Sequence, residues 1–167
     1  PTRRSSDLCS TFYICWGAQA GLYHHFGINK SIMDEKLFGV YEHDIYNDRP
    51  VLLRGFDEKF WMPHSRHTTV SLQQIKENRD LELLAGSDPT GAAIVRSLDN
   101  KHIFVFGHAE YDWDTLNREY ERDINKGMDI AVPENYFPND DPKQRPIVRW
   151  RSVSTLLFTN WLNYYVY

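Results

Sequence analysis

Apolar positions along this chain follow two rhythms, one of strands and one of helices. Short runs rich in β-branched and aromatic residues occur at STFYIC (10–15), LFGVYEH (37–43), VLLRGF (51–56), LELLAGS (81–87), AAIVRSL (92–98) and KHIFVFG (101–107), with Gly, Asp and Pro between them. Such runs read as short strands separated by turns. A different spacing governs 114–126, where Leu116, Tyr120 and Ile124 recur at i, i+4 and i+8. Asp114 stands where an N-cap would and Gly127 where a C′ glycine would, so this segment is expected to be helical. The small residues of Gly17-Ala18-Gln19-Ala20-Gly21-Leu22 follow the first strand and suit a helix packed closely on a sheet. VPENYFPNDDPKQRP (132–146) reads as an irregular loop, and STLLFTNWLNYYVY as a closing amphipathic helix. With no repeat or low-complexity tract, the pattern predicts one α/β domain.

Composition narrows the function classes. The chain has 167 residues, 41% of them hydrophobic, and a formal net charge of -4, which is the range of one soluble globular domain or most of one. Lys and Arg are scattered rather than gathered in a stripe, so neither nucleic acid nor an anionic membrane is expected as partner. Asn160 and Asn163 interrupt the apolar C-terminus, and no window approaches the roughly 18 apolar residues of a spanning helix. Cys9 and Cys15 are the only cysteines; they make no disulfide framework and fit free thiols in a reducing compartment. The opening PTRRSSDL has no periodicity and reads like the translation of a sequencing adapter. Residues 1–8 are therefore expected to be non-native, a point the coding DNA would decide.

Three places could carry chemistry. Cys15 sits between a strand and a small-residue helix, where a helix N-terminus offers N–H donors and a favourable dipole to a thiolate. Gly17, two residues on, is expected to permit the sharp turn. A cysteine at a strand end is also an ordinary buried hydrophobe, so Cys15 needs a base to read as a nucleophile. GHAEYD, 107–112, follows the apolar strand and offers one. His108 and Glu110 would share a strand face about 6–7 Å apart, and a bend would bring carboxylate to imidazole as orienter to base. The other reading is a surface histidine near a carboxylate. The third place is a set of cations and polar groups, Lys36, Ser65 and Arg122, for which a solvated charged surface is the alternative. His24-His25 and His64-x-x-His67 suggest no metal site, since no Cys or carboxylate recurs at ligand spacing and the second pair falls in an apparent loop.

Taken together, the blocks ICWGAQAGLYHHFGI, EKLFGVYEH, MPHSRHT, GHAEYD, LNREYERDINKG, VPENYFPNDDP and the closing LLFTNWLNYYVY resemble the homoserine O-acyltransferases of methionine biosynthesis, which use acetyl or succinyl donors. The resemblance runs from about Ser10 to Tyr167. It implies a three-layer, mostly parallel α/β sheet like that of class I glutamine amidotransferases (flavodoxin-like), with residues 9–167 forming the C-terminal portion of one acyltransferase domain and the N-terminal part absent. It also implies that Cys15 takes the acyl group from acetyl-CoA or succinyl-CoA as a thioester, with His108 as proton acceptor and Glu110 as its partner. Lys36, Ser65 and Arg122 fall at positions matching the family's substrate-binding residues. Homoserine carries a carboxylate that Arg122 could bind in a bidentate manner and a γ-hydroxyl that His108 could deprotonate. The resemblance further implies a cytoplasmic homodimer with no metal or bound prosthetic group.

Two departures qualify it. Ala109 stands where many members have Pro, which leaves the bend between His108 and Glu110 less rigidly preset. The family's N-terminal half carries the position that discriminates acyl donors, so the preference for acetyl rests on the closing blocks alone. A sheet lacking its first strands is expected to leave these 167 residues poorly soluble or inactive by themselves. The rival readings are a class I amidotransferase-type glutaminase, which would normally place Gly where this chain has Tyr13, and a non-catalytic binding module on the same fold.

Overall fold

The computed structural model describes residues 10–46 and 50–167; the expectations for residues 1–8 and for Cys9 lie outside them. Among the described residues one sheet holds six strands, β1 (Thr11–Ile14), β2 (Lys30–Ile45), β3 (Lys59–Val70), β4 (Leu81–Ser87), β5 (Gly91–Ser97) and β6 (His102–Val105), in the order β1-β6-β5-β4-β2-β3. Four helices accompany it, α1 (Trp16–Phe26), α2 (Leu72–Glu77), α3 (Thr115–Asn125) and α4 (Arg151–Trp161), the last running into a π turn over Leu162–Val166.

Alternation along β6 shows why the architecture is layered. Ile103 and Val105 join a core with Leu52, Leu53, Phe60, Met62 and, from α4, Val153 and Leu157. Phe104 and Phe106 join another with Ala18 and Leu22 of α1 and Ile75 of α2. Successive side chains of a strand point to opposite faces, so one apolar strand is covered on both sides. On the α1 side the approach is close: a Cβ on Gly21 would come within 2.8 Å of Phe104 and 3.0 Å of Tyr13. A third cluster, including Phe38, Val40, Leu116, Tyr136 and Trp150, seats α3 and the irregular segment after it.

The α/β class is as expected, but the sense of the strands differs from a mostly parallel sheet. Only β1 and β6 pair in parallel; the other four pairings are antiparallel. Short connections are the reason, since a parallel pair needs a crossover of about a dozen residues and β4, β5 and β6 are joined by tight turns. VLLRGF is a second correction. Val51–Leu53 forms a 3-10 turn, which lets the adjacent Leu52 and Leu53 both bury in one core where a strand would part them. A third is the supposed loop around His64 and His67, which is strand β3. Pro63 within it is tolerated because β3 ends the sheet and pairs only with β2. No helix among the described residues is long and apolar enough to cross a membrane.

Candidate active site

Cys15 lies on the turn from β1 into α1. Its backbone N–H donates to Val105 O at 2.7 Å, continuing the parallel pairing of β1 with β6 one residue beyond Ile14 and Val105. The chain then reverses, and Gln19 N–H donates to Cys15 O to open the helix. The strain of this reversal falls on Cys15 itself, with φ 50° and ψ −111°. Gly17 was the expected site of that freedom; its φ is not positive and a Cβ there would meet nothing within 4 Å. A non-glycine residue held in a sparsely populated region costs on the order of 1–3 kcal/mol and persists where the surroundings over-determine it. Here the β6 backbone on one side and the packed helix on the other impose it, leaving the sulfur half-buried at the mouth of two adjacent parallel strands, where α/β folds assemble their sites.

Three residues past the end of β6, His108 is fixed by its own N–H, which donates to Pro63 O at 2.7 Å. Its Nδ1 lies 2.7 Å from Glu110 Oε1, so a turn does bring together the pair that a straight strand would hold apart. The pair forms with Ala109 between them, without a proline. Burial pulls the imidazole pKa down, but hydrogen bonds to Cys15 and Glu110, with their negative charge, more than reverse this and raise it to about 9. The ring therefore holds its proton more strongly than a free imidazole does. Cys15, His108 and Glu110, the trio expected from the sequence, are thus neighbours in the fold.

Lys36, Ser65 and Arg122 also converge, through two carboxylates that the sequence reading did not single out. Ser65 donates to Glu119 Oε2 at 2.6 Å, and Lys36 Nζ lies 3.7 Å from the same oxygen and 3.5 Å from Asp123 Oδ2. Arg122 Nε donates to Asp123 Oδ1 at 2.7 Å, holding that carboxyl below its usual range and the guanidinium above its own. Arg118, one turn earlier, instead pairs with Asp114 at 3.2 Å in the open, which is why Asp114 makes no side-chain cap. Tyr111 completes the set by donating its hydroxyl to Glu119 Oε1 at 3.0 Å. Glu119 was findable, since it lies three residues before Arg122 and so on the same helix face.

Beneath the site sit buried polar groups. Arg66, 4% exposed, donates to Thr68 O and Thr90 O and makes no ion pair with a carboxylate among the described residues. Burial lowers its pKa to about 10, with Cys15 and Tyr41 acting in the other direction. Gln19, on the turn after Cys15, donates to the same Thr68 carbonyl at 3.1 Å. His64 faces His43, Nε2 to Nε2 at 3.0 Å, and burial keeps both rings well below the usual imidazole range. Among the described residues no group of three or more His, Cys, Asp or Glu could hold a metal ion.

With this geometry in view, the family model for homoserine O-succinyltransferase matches residues 3–167. This chain belongs to the homoserine O-succinyltransferase family. Its curated relatives include homoserine O-acetyltransferases of Clostridium acetobutylicum, 57% identical over 162 residues, and of Bacillus cytotoxicus, 56% identical over 162 residues. Each alignment covers 97% of this chain and 54% of the relative, so the chain spans about half the length of those proteins. Among solved structures, a glutamine amidotransferase from Thermotoga maritima superposes with TM-score 0.57 over 89% of this chain and 53% of its own, at 17% identity. One from Methylobacillus flagellatus gives 0.55 over 89% and 56%, at 16% identity. The family member thus shares the amidotransferase fold.

Proposed function

We propose that the protein of which this chain is part is a homoserine O-acyltransferase, preferring acetyl-CoA to succinyl-CoA, that carries the acyl group on Cys15. The observation that supports this most is His108, bonded through Nδ1 to Glu110 at 2.7 Å and close enough to Cys15 to feel its charge. The sulfur anion attacks the acyl carbonyl, the oxyanion forming beside the first turn of α1, whose N–H groups have no intrahelical acceptor. Imidazolium passes its proton to the departing CoA sulfur. Once Cys15 is a thioester its negative charge is gone, and with it two of the causes that hold His108 protonated. The neutral ring is then able to take the γ-hydroxyl proton of homoserine as that oxygen attacks the thioester, regenerating free Cys15 and releasing the O-acyl ester. Arg122 and Lys36 would bind the amino acid's carboxylate and Glu119 its ammonium group, with Ser65 fixing Glu119.

The acetyl preference draws on the relatives' names at 57% and 56% identity. The same reading gives a cytoplasmic homodimer whose only small-molecule partners are homoserine and acyl-CoA, with no bound prosthetic group. Intact mass of the full-length protein after separate incubations with acetyl-CoA, succinyl-CoA and glutamine, the last also assayed for ammonia, with Cys15→Ser as control, tests it. An acetyl adduct lost in the variant and discharged by homoserine is expected. A succinyl adduct alone would reverse the donor, and ammonia released from glutamine with no adduct would overturn the reaction.

A further inference from the structure

Tyr111 stands between the acyl-carrying trio and the carboxylate cluster. Its N–H donates to His108 O at 3.2 Å, and its own carbonyl accepts from Trp150 Nε1 at 2.9 Å. Its ring stacks on the His108 imidazole with centroids 4.1 Å apart and planes 18° from parallel. Its hydroxyl donates to Glu119 Oε1, whose other oxygen accepts from Ser65 and lies near Lys36. The contacts therefore run without a gap from His108 through Tyr111 and Glu119 to Ser65 and Lys36.

The bond from His108 Nδ1 to Glu110 Oε1 sets where that nitrogen lies but does not oppose tilting of the ring. A ring stacked face to face opposes that tilt. For the stack alone a phenylalanine would serve. The hydroxyl adds a tie to Glu119, so a change at that carboxylate reaches the ring that covers the imidazole. We propose that Tyr111 is a positioning residue that couples amino-acid binding at Glu119 to the orientation of His108: the ring holds the imidazole and the hydroxyl reports the occupancy of the carboxylate. This rests on reading Glu119 as part of the homoserine subsite.

The two halves of a ping-pong reaction separate the two roles, and so do two substitutions in the full-length protein. Tyr111→Phe keeps the stack and removes the tie. It should raise the KM for homoserine about tenfold, the loss of one hydrogen bond to a charged group, while slowing thioester formation from acetyl-CoA far less. Tyr111→Leu removes both; it should slow thioester formation as well and move the His108 titration, read by NMR of the imidazole without any substrate. An unchanged KM for homoserine in Tyr111→Phe would overturn the coupling. An unmoved His108 titration in folded Tyr111→Leu would overturn the positioning; if that variant does not fold, an unchanged pH profile of Cys15 alkylation in Tyr111→Trp, whose larger ring must tilt the stack, would do so instead. A wild type that forms no thioester would sink the acyl-transfer reading, yet the His108 titration would still decide what the ring does.

Discussion

The Cys15–His108–Glu110 trio and the carboxylate cluster lie side by side but are held by different means. Backbone bonds place Cys15 and His108, through Cys15 N–H on Val105 O and His108 N–H on Pro63 O, and Tyr111 N–H on His108 O closes the turn that carries Glu110. Side chains from three separate elements place the cluster, with Lys36 from β2, Ser65 from β3, and Glu119, Arg122 and Asp123 from α3 meeting through ion pairs and hydrogen bonds. A backbone-fixed site holds its geometry whatever occupies it. A site built from mutually satisfied charges can exchange partners, which is what a charged amino acid entering it would require. The first arrangement suits bond making, the second capture and release.

The sharpest way to break this comparison is to remove the orienter from the trio. Glu110→Gln keeps the shape and loses the charge, and the acyl-transfer rate of the full-length protein should fall on the order of 10²–10⁴-fold, the range of positioned acid–base catalysis. A pH signature should accompany the loss. His108 has a folded pKa raised above 6.5 to about 9, so its contribution to stability is fully present below about pH 6.5 and is lost as pH rises through 9. In Glu110→Gln that decline should be smaller and should be complete at lower pH, as read by urea denaturation between pH 6 and 10. Coincident curves for the two proteins would show that Glu110 does not hold the proton on His108.

On the cluster side, Arg122→Ala should act on binding rather than on chemistry. Loss of a charge-assisted contact to a carboxylate is worth about 1.5–3 kcal/mol, or roughly 10–150-fold, and should appear in the KM for homoserine with the rate of thioester formation from acetyl-CoA retained. If thioester formation fell by the same factor, the two regions would not be separable as drawn.

Gly107 tests the seam between them. A Cβ there would come within 2.8 Å of Met62 Cγ and 2.9 Å of His64 Nε2, both on β3 and buried. Gly107→Ala should therefore push His108 away from Pro63 O, at a cost of about 1–3 kcal/mol in stability for the overpacking, and activity should fall by more than the loss of folded protein explains. A shift in thermal unfolding with no change in specific activity would show that the backbone bond of His108 tolerates displacement.

The same division decides what the sequence made legible. Cys15 before a helix and His-x-Glu after a strand are local patterns, because a strand end and the turn after it are neighbours in the chain as well as in space. Glu119, Tyr111 and Arg66 gather their meaning from partners distant in the chain, 54 residues away between Ser65 and Glu119, and no local rhythm carries that. Long β3 was hidden for a related reason. Pro63 reads as a breaker until the edge position of the strand is known, and the charged and polar residues of HSRHTT obscure an alternation that faces the site on one side. VLLRGF erred in the other direction, because a continuous apolar run states that it is buried and says nothing of the shape in which it is buried. The family resemblance reached Lys36, Ser65 and Arg122 where periodicity could not, yet it passed over the glutamate that joins the first two.

Arg118 supplies the smallest expected effect and the cleanest control on that resemblance. It shares a helix face with Arg122 one turn away, so spacing alone does not tell the two apart. The structure separates them: Arg118 meets Asp114 with 63% of its side chain exposed, while Arg122 binds Asp123, whose side chain is 7% exposed and also reaches Lys36. An exposed i, i+4 pair contributes about 0.3–0.5 kcal/mol at most. Arg118→Ala should accordingly lower the unfolding free energy by no more than that and leave the KM for homoserine within about twofold, while Arg122→Ala raises it tenfold or more. Equal effects of the two substitutions on homoserine binding would mean that the whole basic face of α3 attracts the amino acid, and that Asp123 does not single out Arg122 for it.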